Sequence, residues 1–202
     1  MNWLDFGPYV NPYVPGVPAP TLVHHVRLAA IEFCLETKCW VRNLEPMQSG
    51  ADGLIYIEPE SNRARIFDIQ RIAVGGIEWP LVTASLGVAR RDLRDDADVA
   101  FTDDLQVLAI NPIPKAGSVV DLRVAMTLKE DAVDLPQELN QYVQRITHGA
   151  LASLMRIPGQ EFTSPEAERH EAMFRAHIRT ESSRLARGQV ASGHGRINPS
   201  FM

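Results

Sequence analysis

Helical periodicity is present toward both ends of this chain and vanishes between Trp40 and about Asp131. That interruption limits the possible folds severely. An amphipathic helix must bury its apolar stripe against another element. The helical stripes on either side therefore need one another, and the stretch between them must fold around its own core. In "TLVHHVRLAAIEFCLETKCW", Leu22, Val26, Ala29, Ala30, Phe33 and Thr37 share a face, while Arg27, Glu32, Glu36 and Lys38 fall elsewhere. This spacing predicts a helix over about 21–39, with Thr21 as its N-cap. In "QELNQYVQRITHGALASLMRI", the stripe is Leu139, Tyr142, Val143, Ile146, Ala150, Leu154 and Ile157. It predicts a helix over about 137–157, stopped by Pro158 and Gly159. A third helix, about 164–187, opens on Ser164 and Pro165 with Glu166 and Glu168 in its first turn, and closes on Arg184 and Arg187 before Gly188.

The interrupting stretch reads as strands. "DLRVAMTLKE" alternates, with Leu122, Val124, Met126 and Leu128 on one face and Asp121, Arg123, Thr127 and Lys129 on the other. "GLIYIEP", "RARIFDIQRIAV", "IEWPLV" and "LQVLAINPIP" are further short candidates, divided by "SGADG", "ESNR", "GG" and "PKAGS". Short strands with turn chemistry between them predict an antiparallel sheet or small sandwich. "SLGVARRDLRDDADVAFTDD" reads as a loop or a short helix. The fold class expected is α+β: a helical bundle (21–40 plus 135–187) with an inserted β domain (41–134). An extended arm (1–20) and a flexible tail (188–202) complete it.

Gly149 needs a reason, because glycine inside a helix costs about 1 kcal/mol relative to alanine. With Ala150 and Ala152 it makes a low ridge that lets another backbone come close, and Leu154 belongs to the apolar stripe of the same helix. Gly149, Ala150 and Leu154 are thus assigned to helix packing. The first twenty residues hold five prolines. Proline at this density predicts an extended or polyproline arm, docked on its own domain or on a neighbouring subunit.

The 202 residues, 45% hydrophobic and 22% charged, suit one soluble domain with an insertion. A net charge of −5 argues against a general nucleic-acid binder. No apolar run spans a bilayer and the N-terminus lacks signal-peptide order. A soluble protein folding in a cytoplasm is expected. Cys34 and Cys39, five apart on a predicted helix, point in different directions, so free thiols are expected.

The chemistry-bearing residues do not assemble into a known catalytic pattern. His24 and His25 diverge by about 100° on a helix. Glu166 and His170 share a face, but His177 sits awkwardly for joining them, and a metal site requires further ligands. "AVGGIEW" is no phosphate loop, and "DDADVAFTDD" lacks the order of a calcium loop. No nucleophile elbow is present, and Cys34 lies among apolar neighbours. No catalytic residue, metal or cofactor is assigned.

Two stretches taken together resemble the head-to-tail adaptor proteins of tailed bacteriophages. "PYVPGVPAPTLVHHVRLAAIEFCLETKCW" is similar to that family's Pro-rich leader running into its first helix. "ITHGALASLMRIPGQEFTSPEAERHEAMF" is similar to its small-residue helix, Pro-Gly break and following helix. "LAINPIPKAGSVVDLRVAMTLKEDAVDLPQEL" resembles its middle segment. The likeness runs from about Tyr9 to Gly188, with 86–104 the least matched part. It implies a virion protein at the head–tail interface, assembled in the host cytoplasm as a closed ring, commonly of twelve copies, beneath the portal. The implied partners are the portal protein, a tail, nozzle or tail-tube protein, other copies of the chain, and packaged DNA that slides through the lumen. No membrane is implied. Portal docking would fall to the C-terminal segment, including Arg187, Arg196, Ile197, Phe201 and Met202. Two other classes of function are weighed against this one: a monomeric or dimeric module binding protein or carbohydrate through the β insertion, and a metal-dependent hydrolase using Glu166, His170 and His177.

Overall fold

The computed structural model describes residues 1–59, 63–83, 99–102, 105–115, 117–157 and 164–193. The fold is mixed α+β, with four described helices and two sheets. The chain divides into two compact units, Met1–Cys39 with Glu130–Met202, and Trp40–Lys129.

The first unit is helical. Its N-terminal segment is not the extended arm that the prolines suggested. A 3-10 turn over Trp3–Phe6 leads into α1 (Gly7–Val10), with Pro8 in its first turn. Proline is tolerated there because its missing N–H would be unpaired in any case. Asn2 caps the 3-10 turn by accepting from the Leu4 N–H at 2.9 Å, and Asp5 accepts from the Asn2 N–H at 2.9 Å. The segment is tied down by its aromatic residues. Trp3, Phe6, Val10 and Val14 are buried, and the Trp3 indole N–H donates to the Ala132 carbonyl at 2.8 Å. Met1 and Leu135 exchange main-chain hydrogen bonds beside it.

Helix α2 (Ala19–Thr37) begins two residues before the expected start. Its N-cap is Pro18, not Thr21, and Pro20 lies in its first turn. Leu22, Val26, Ala29, Ala30, Phe33 and Thr37 are all buried, joined by Cys34. The third helical segment divides in two: a 3-10 turn over Gln137–Tyr142, then α3 (Val143–Leu154). Pro158 and Gly159 lie outside the described residues. Helix α4 (Ser164–Gly193) runs through Gly188, which the sequence had suggested as its end. One glycine costs a helix only about 1 kcal/mol, too little to terminate it alone.

Helices α2, α3 and α4 pack on one another, and Gly149 lies where they meet. A Cβ built there would stand 2.9 Å from Cε2 and Cζ of Phe174 on α4 and 3.0 Å from Cβ of Ala29 on α2. The Phe33 ring of α2 packs on Tyr142 and Phe174, at centroid distances of 5.2 and 6.1 Å. The buried stripe of α4 is only partly apolar: Ala167, His170, Phe174, Ile178 and Glu181.

Among the described residues the second unit holds nine strands. They are β1 (Val41–Asn43), β2 (Met47–Gln48), β3 (Leu54–Tyr56), β4 (Ala64–Val74), β5 (Ile77–Trp79), β6 (Leu81–Thr83), β7 (Val99–Thr102), β8 (Val107–Asn111) and β9 (Val119–Leu128). One sheet has the order β1-β9-β4-β5, with β2 also on β9, and is antiparallel throughout. Strands β4 and β5 are joined by Gly75-Gly76, both at positive φ (58° and 84°). Two-residue hairpin turns need that conformation. The other sheet has the order β3-β8-β7-β6 and is mixed, because β6 pairs with β7 in parallel. The expectation of purely antiparallel pairing fails at this point. A parallel pair needs a connection of about a dozen residues or more, and residues 84–98 are long enough to supply it.

The alternation in β9 holds over its first half. Val120, Leu122 and Val124 are buried while Val119 and Asp121 are exposed. From Ala125 onward every residue is buried, Thr127 included. The segment expected to be a loop or short helix contributes β7, and its other residues, 85–98, 103 and 104, lie outside the described residues.

The space at Gly149 leads to a prediction. Gly149→Leu lowers the unfolding free energy by about 1–3 kcal/mol, the range for overpacking a filled core, as read by urea denaturation. Gly149→Ala fails to give the gain of about 1 kcal/mol usual for that change in a helix.

Candidate functional site

The densest cluster of titratable side chains in the helical unit lies along the contact between α3 and α4. His148, next to Gly149, projects from α3 toward α4, where His170 and His177 stand seven residues apart. Nδ1 of His148 lies 2.9 Å from Nδ1 of His170, close enough for one imidazole to donate and the other to accept. Their rings stack at a centroid distance of 5.1 Å and an interplanar angle of 29°. The His177 ring stacks on His148 at 5.7 Å and 22°. Tyr13, from the N-terminal segment, meets His170 edge-on at 5.2 Å.

Burial lowers the proton affinity of all three imidazoles below the ordinary histidine value. His170 is only 7% exposed. For His148 the neighbouring His170, His177 and Arg169 add to the effect. For His170, Arg169 adds to it and Glu166 opposes it; for His177, Arg145 adds and Glu181 opposes. Each imidazole therefore gives up its proton more readily than a free histidine.

One turn before His148 on α3, Arg145 reaches the other end of the cluster. Its guanidinium lies 2.7 Å from the Glu181 carboxylate, and Arg184 donates to the same carboxylate at 2.9 and 3.2 Å. Burial pushes Glu181 upward, but the hydrogen bonds and charges of Arg184 and Arg145 outweigh it and hold the group below the usual carboxylate range. A buried carboxylate is tolerable only when paired in this way. Outside this cluster, Glu171 pairs with Arg156, and Glu32 of α2 with Arg175 at 2.7 Å.

The other sequence candidates are dispersed. The rings of His24 and His25 touch edge to face at 5.3 Å, and His25 pairs with the Ser153 hydroxyl at 3.0 Å. Glu166 is exposed at the start of α4. Among the described residues, no group of three His, Cys, Asp or Glu side chains is placed to hold a metal ion. Of the residues tied to portal docking, Arg187 is exposed on α4 and donates to the Ser183 carbonyl at 3.2 Å. Arg196, Ile197, Phe201 and Met202 lie outside the described residues. Ala150 and Leu154 are fully buried beside Gly149.

Among the described residues, the β unit has clefts that include one of about 390 Å3 and one of about 360 Å3. The first is lined by Asn43, Arg71, Asp121 and Arg123 among others, the second by Glu58, Arg65, Gln106 and Lys129 among others. Neither is lined by an aromatic ring, the usual platform for a flat apolar or sugar face.

Sequence reasoning treated the histidines one helix at a time and missed the cluster. The signal that could have found it was the seven-residue spacing of His170 and His177, about two helical turns, which puts both rings on one side of α4. No protein-family model matches the chain, and no curated protein is significantly similar to it. Among the described residues, no helix is long and apolar enough to cross a membrane.

The lowered histidines set the sign of a pH effect. Between the folded values and the unfolded value of about 6.5, the unfolded chain binds more protons than the folded one. Stability is then full above about pH 6.5 and falls as the pH drops below it. His148→Phe keeps a stacked ring but cannot titrate. It should flatten the acid limb of a plot of urea midpoint against pH below about 6.5, whatever its effect at pH 8.

Proposed function

We propose that this chain is a structural subunit of a phage head-to-tail adaptor, a ring that sits under the portal and presents a platform to the tail. The reading rests on the order of elements along the chain. A short Pro-rich segment and one long helix come first, a strand-rich unit interrupts, and two helices close the series. That is the arrangement the sequence resemblance implies, with a helical bundle carrying an inserted β domain. The motifs of the resemblance fall on its structural joints. Ala29, Ala30, Phe33 and Cys34 of "AAIEFC" are buried on α2, and Gly149 of "GAL" lies at the contact among the three helices.

A closed ring needs two different surfaces on each subunit that fit one another. The helical unit carries large apolar side chains in solvent, among them Leu4, Leu28, Val133 and Met173. Exposed apolar groups of this kind supply contact area for neighbouring copies. The overall negative charge suits a channel through which DNA slides, since phosphate adhesion comes from Lys and Arg. In this reading the C-terminal segment beyond α4, with Arg196, Ile197, Phe201 and Met202, docks on the portal. In that segment Gly195 precedes the apolar side chains of Ile197, Phe201 and Met202, which suit anchoring on a protein partner.

Light scattering and axial electron-microscope views of the chain with its cognate portal test the proposal. A ring of copies on the portal is expected. A species of one or two copies, indifferent to portal, would end the adaptor reading. Deleting residues 194–202 should leave the urea midpoint unchanged and weaken portal attachment about tenfold or more, equivalent to at least about 1.4 kcal/mol. Undiminished attachment would remove the docking role from that segment.

A further inference from the structure

The two cysteines were expected to point apart. They do not, and the reason is the way α2 ends. Lys38, the residue after the last helical one, adopts the left-handed conformation (φ 52°), and its N–H donates to the Cys34 carbonyl at 2.9 Å. This is a left-handed helix cap, in which the residue after the left-handed position folds back over the last turn and commonly touches the side chain whose carbonyl the cap engages. Here those two residues are Cys39 and Cys34. The Cys39 N–H is fastened to the Thr37 hydroxyl at 3.3 Å, and that hydroxyl in turn donates to the Phe33 carbonyl at 2.6 Å. The two side chains come within hydrogen-bonding reach of each other, with Cys34 as donor and the Cys39 sulfur as acceptor.

The two thiols differ in access. Cys34 is fully buried and Cys39 is half-buried; both are free. Cys39 faces Glu181 and Tyr142 from the neighbouring helical segments. The hydrogen bond from Cys34 favours the Cys39 thiolate and outweighs the opposing effects of burial and of Glu181. The same bond, together with burial, holds the proton on Cys34. A half-buried thiol that gives up its proton more readily than usual, with a second thiol beside it, is the arrangement of a redox-responsive pair.

We propose that Cys34 and Cys39 form a reversible intramolecular disulfide by exchange with a low-molecular-weight disulfide, stapling the C-terminal cap of α2. The Cys39 thiolate attacks one sulfur of the disulfide RSSR, forms a Cys39–SR bond and expels RS−, which takes up a proton. Cys34 then loses its proton to solvent and attacks the Cys39 sulfur, expelling the second RS−. The sum is two protein thiols plus RSSR giving one protein disulfide plus two RSH, with the protein oxidised and RSSR reduced. Lys38 lies between the bridged residues, so the oxidised form holds it in its left-handed conformation.

The test uses the full chain and glutathione disulfide. The expected product has lost both alkylatable thiols, carries no glutathione and is lighter by two hydrogen atoms; dithiothreitol restores both thiols. Cys34→Ser should stop at a stable glutathione adduct on Cys39. Cys39→Ser should leave the buried Cys34 at least about tenfold slower to react than Cys39 of the wild type, as expected for an inaccessible thiol. A wild-type protein that keeps glutathione on Cys39, links to a second chain through it, or retains both thiols would overturn the proposal. A peptide spanning residues 33–40 serves as the reactivity control.

Discussion

The absence of one side chain, at Gly149, sets the geometry of the helical unit. Phe174 of α4 and Ala29 of α2 occupy the space that a Cβ would need. The approach this permits lets the Phe33 ring meet both Tyr142 and Phe174. Glycine's helix penalty of about 1 kcal/mol is offset by that burial, since one fully buried aromatic or aliphatic side chain contributes about 1.5–3 kcal/mol. The polar contacts also depend on this spacing. His148 adjoins Gly149 and Arg145 lies one turn before it, and both reach partners on α4 that flank Phe174.

Much of this was legible in the sequence, and the exceptions have physical causes. The stripe from Leu22 to Thr37 could be read because burial there follows simple helical spacing, and β9 could be read where one of its faces meets solvent. Its second half could not, because Ala125 and Thr127 are covered as well as Met126 and Leu128, and alternation carries no signal when both faces are buried. Strands β1 and β2 are three and two residues long. They exist through pairing with β9, which no local pattern reveals. In the N-terminal segment the proline count was decisive in the reading but not in the fold, where Trp3 and Phe6 found buried positions and Pro8 fell in a helix's first turn.

The polar cluster was less legible than the core. Periodicity assigns a residue to a face of its own helix and says nothing of the opposite helix. His170 and Glu181 sit on the buried stripe of α4 among Ala167, Phe174 and Ile178, where a binary reading expects apolar residues. The cysteine contact was hidden for a related reason. Helical geometry separates residues five apart, but Lys38 leaves helical geometry before Cys39 is reached. An end of a helix has to be read as a turn.

The mixed character of the α3–α4 contact bears on why these helices meet in one register. An apolar stripe tolerates sliding, because one buried methyl group substitutes for another at small cost. Shifting α4 by a turn would carry Phe174 away from the gap at Gly149, part His170 from His148, and draw Glu181 from Arg145. The last change is the most severe, since a carboxylate 3% exposed would lose its 2.7 Å ion partner on the opposite helix and keep only Arg184 of its own. The gap at Gly149 admits one ring, and the charges at Arg145 and Glu181 penalise every alternative. Packing sets how close the helices come; the buried carboxylate sets their register along each other.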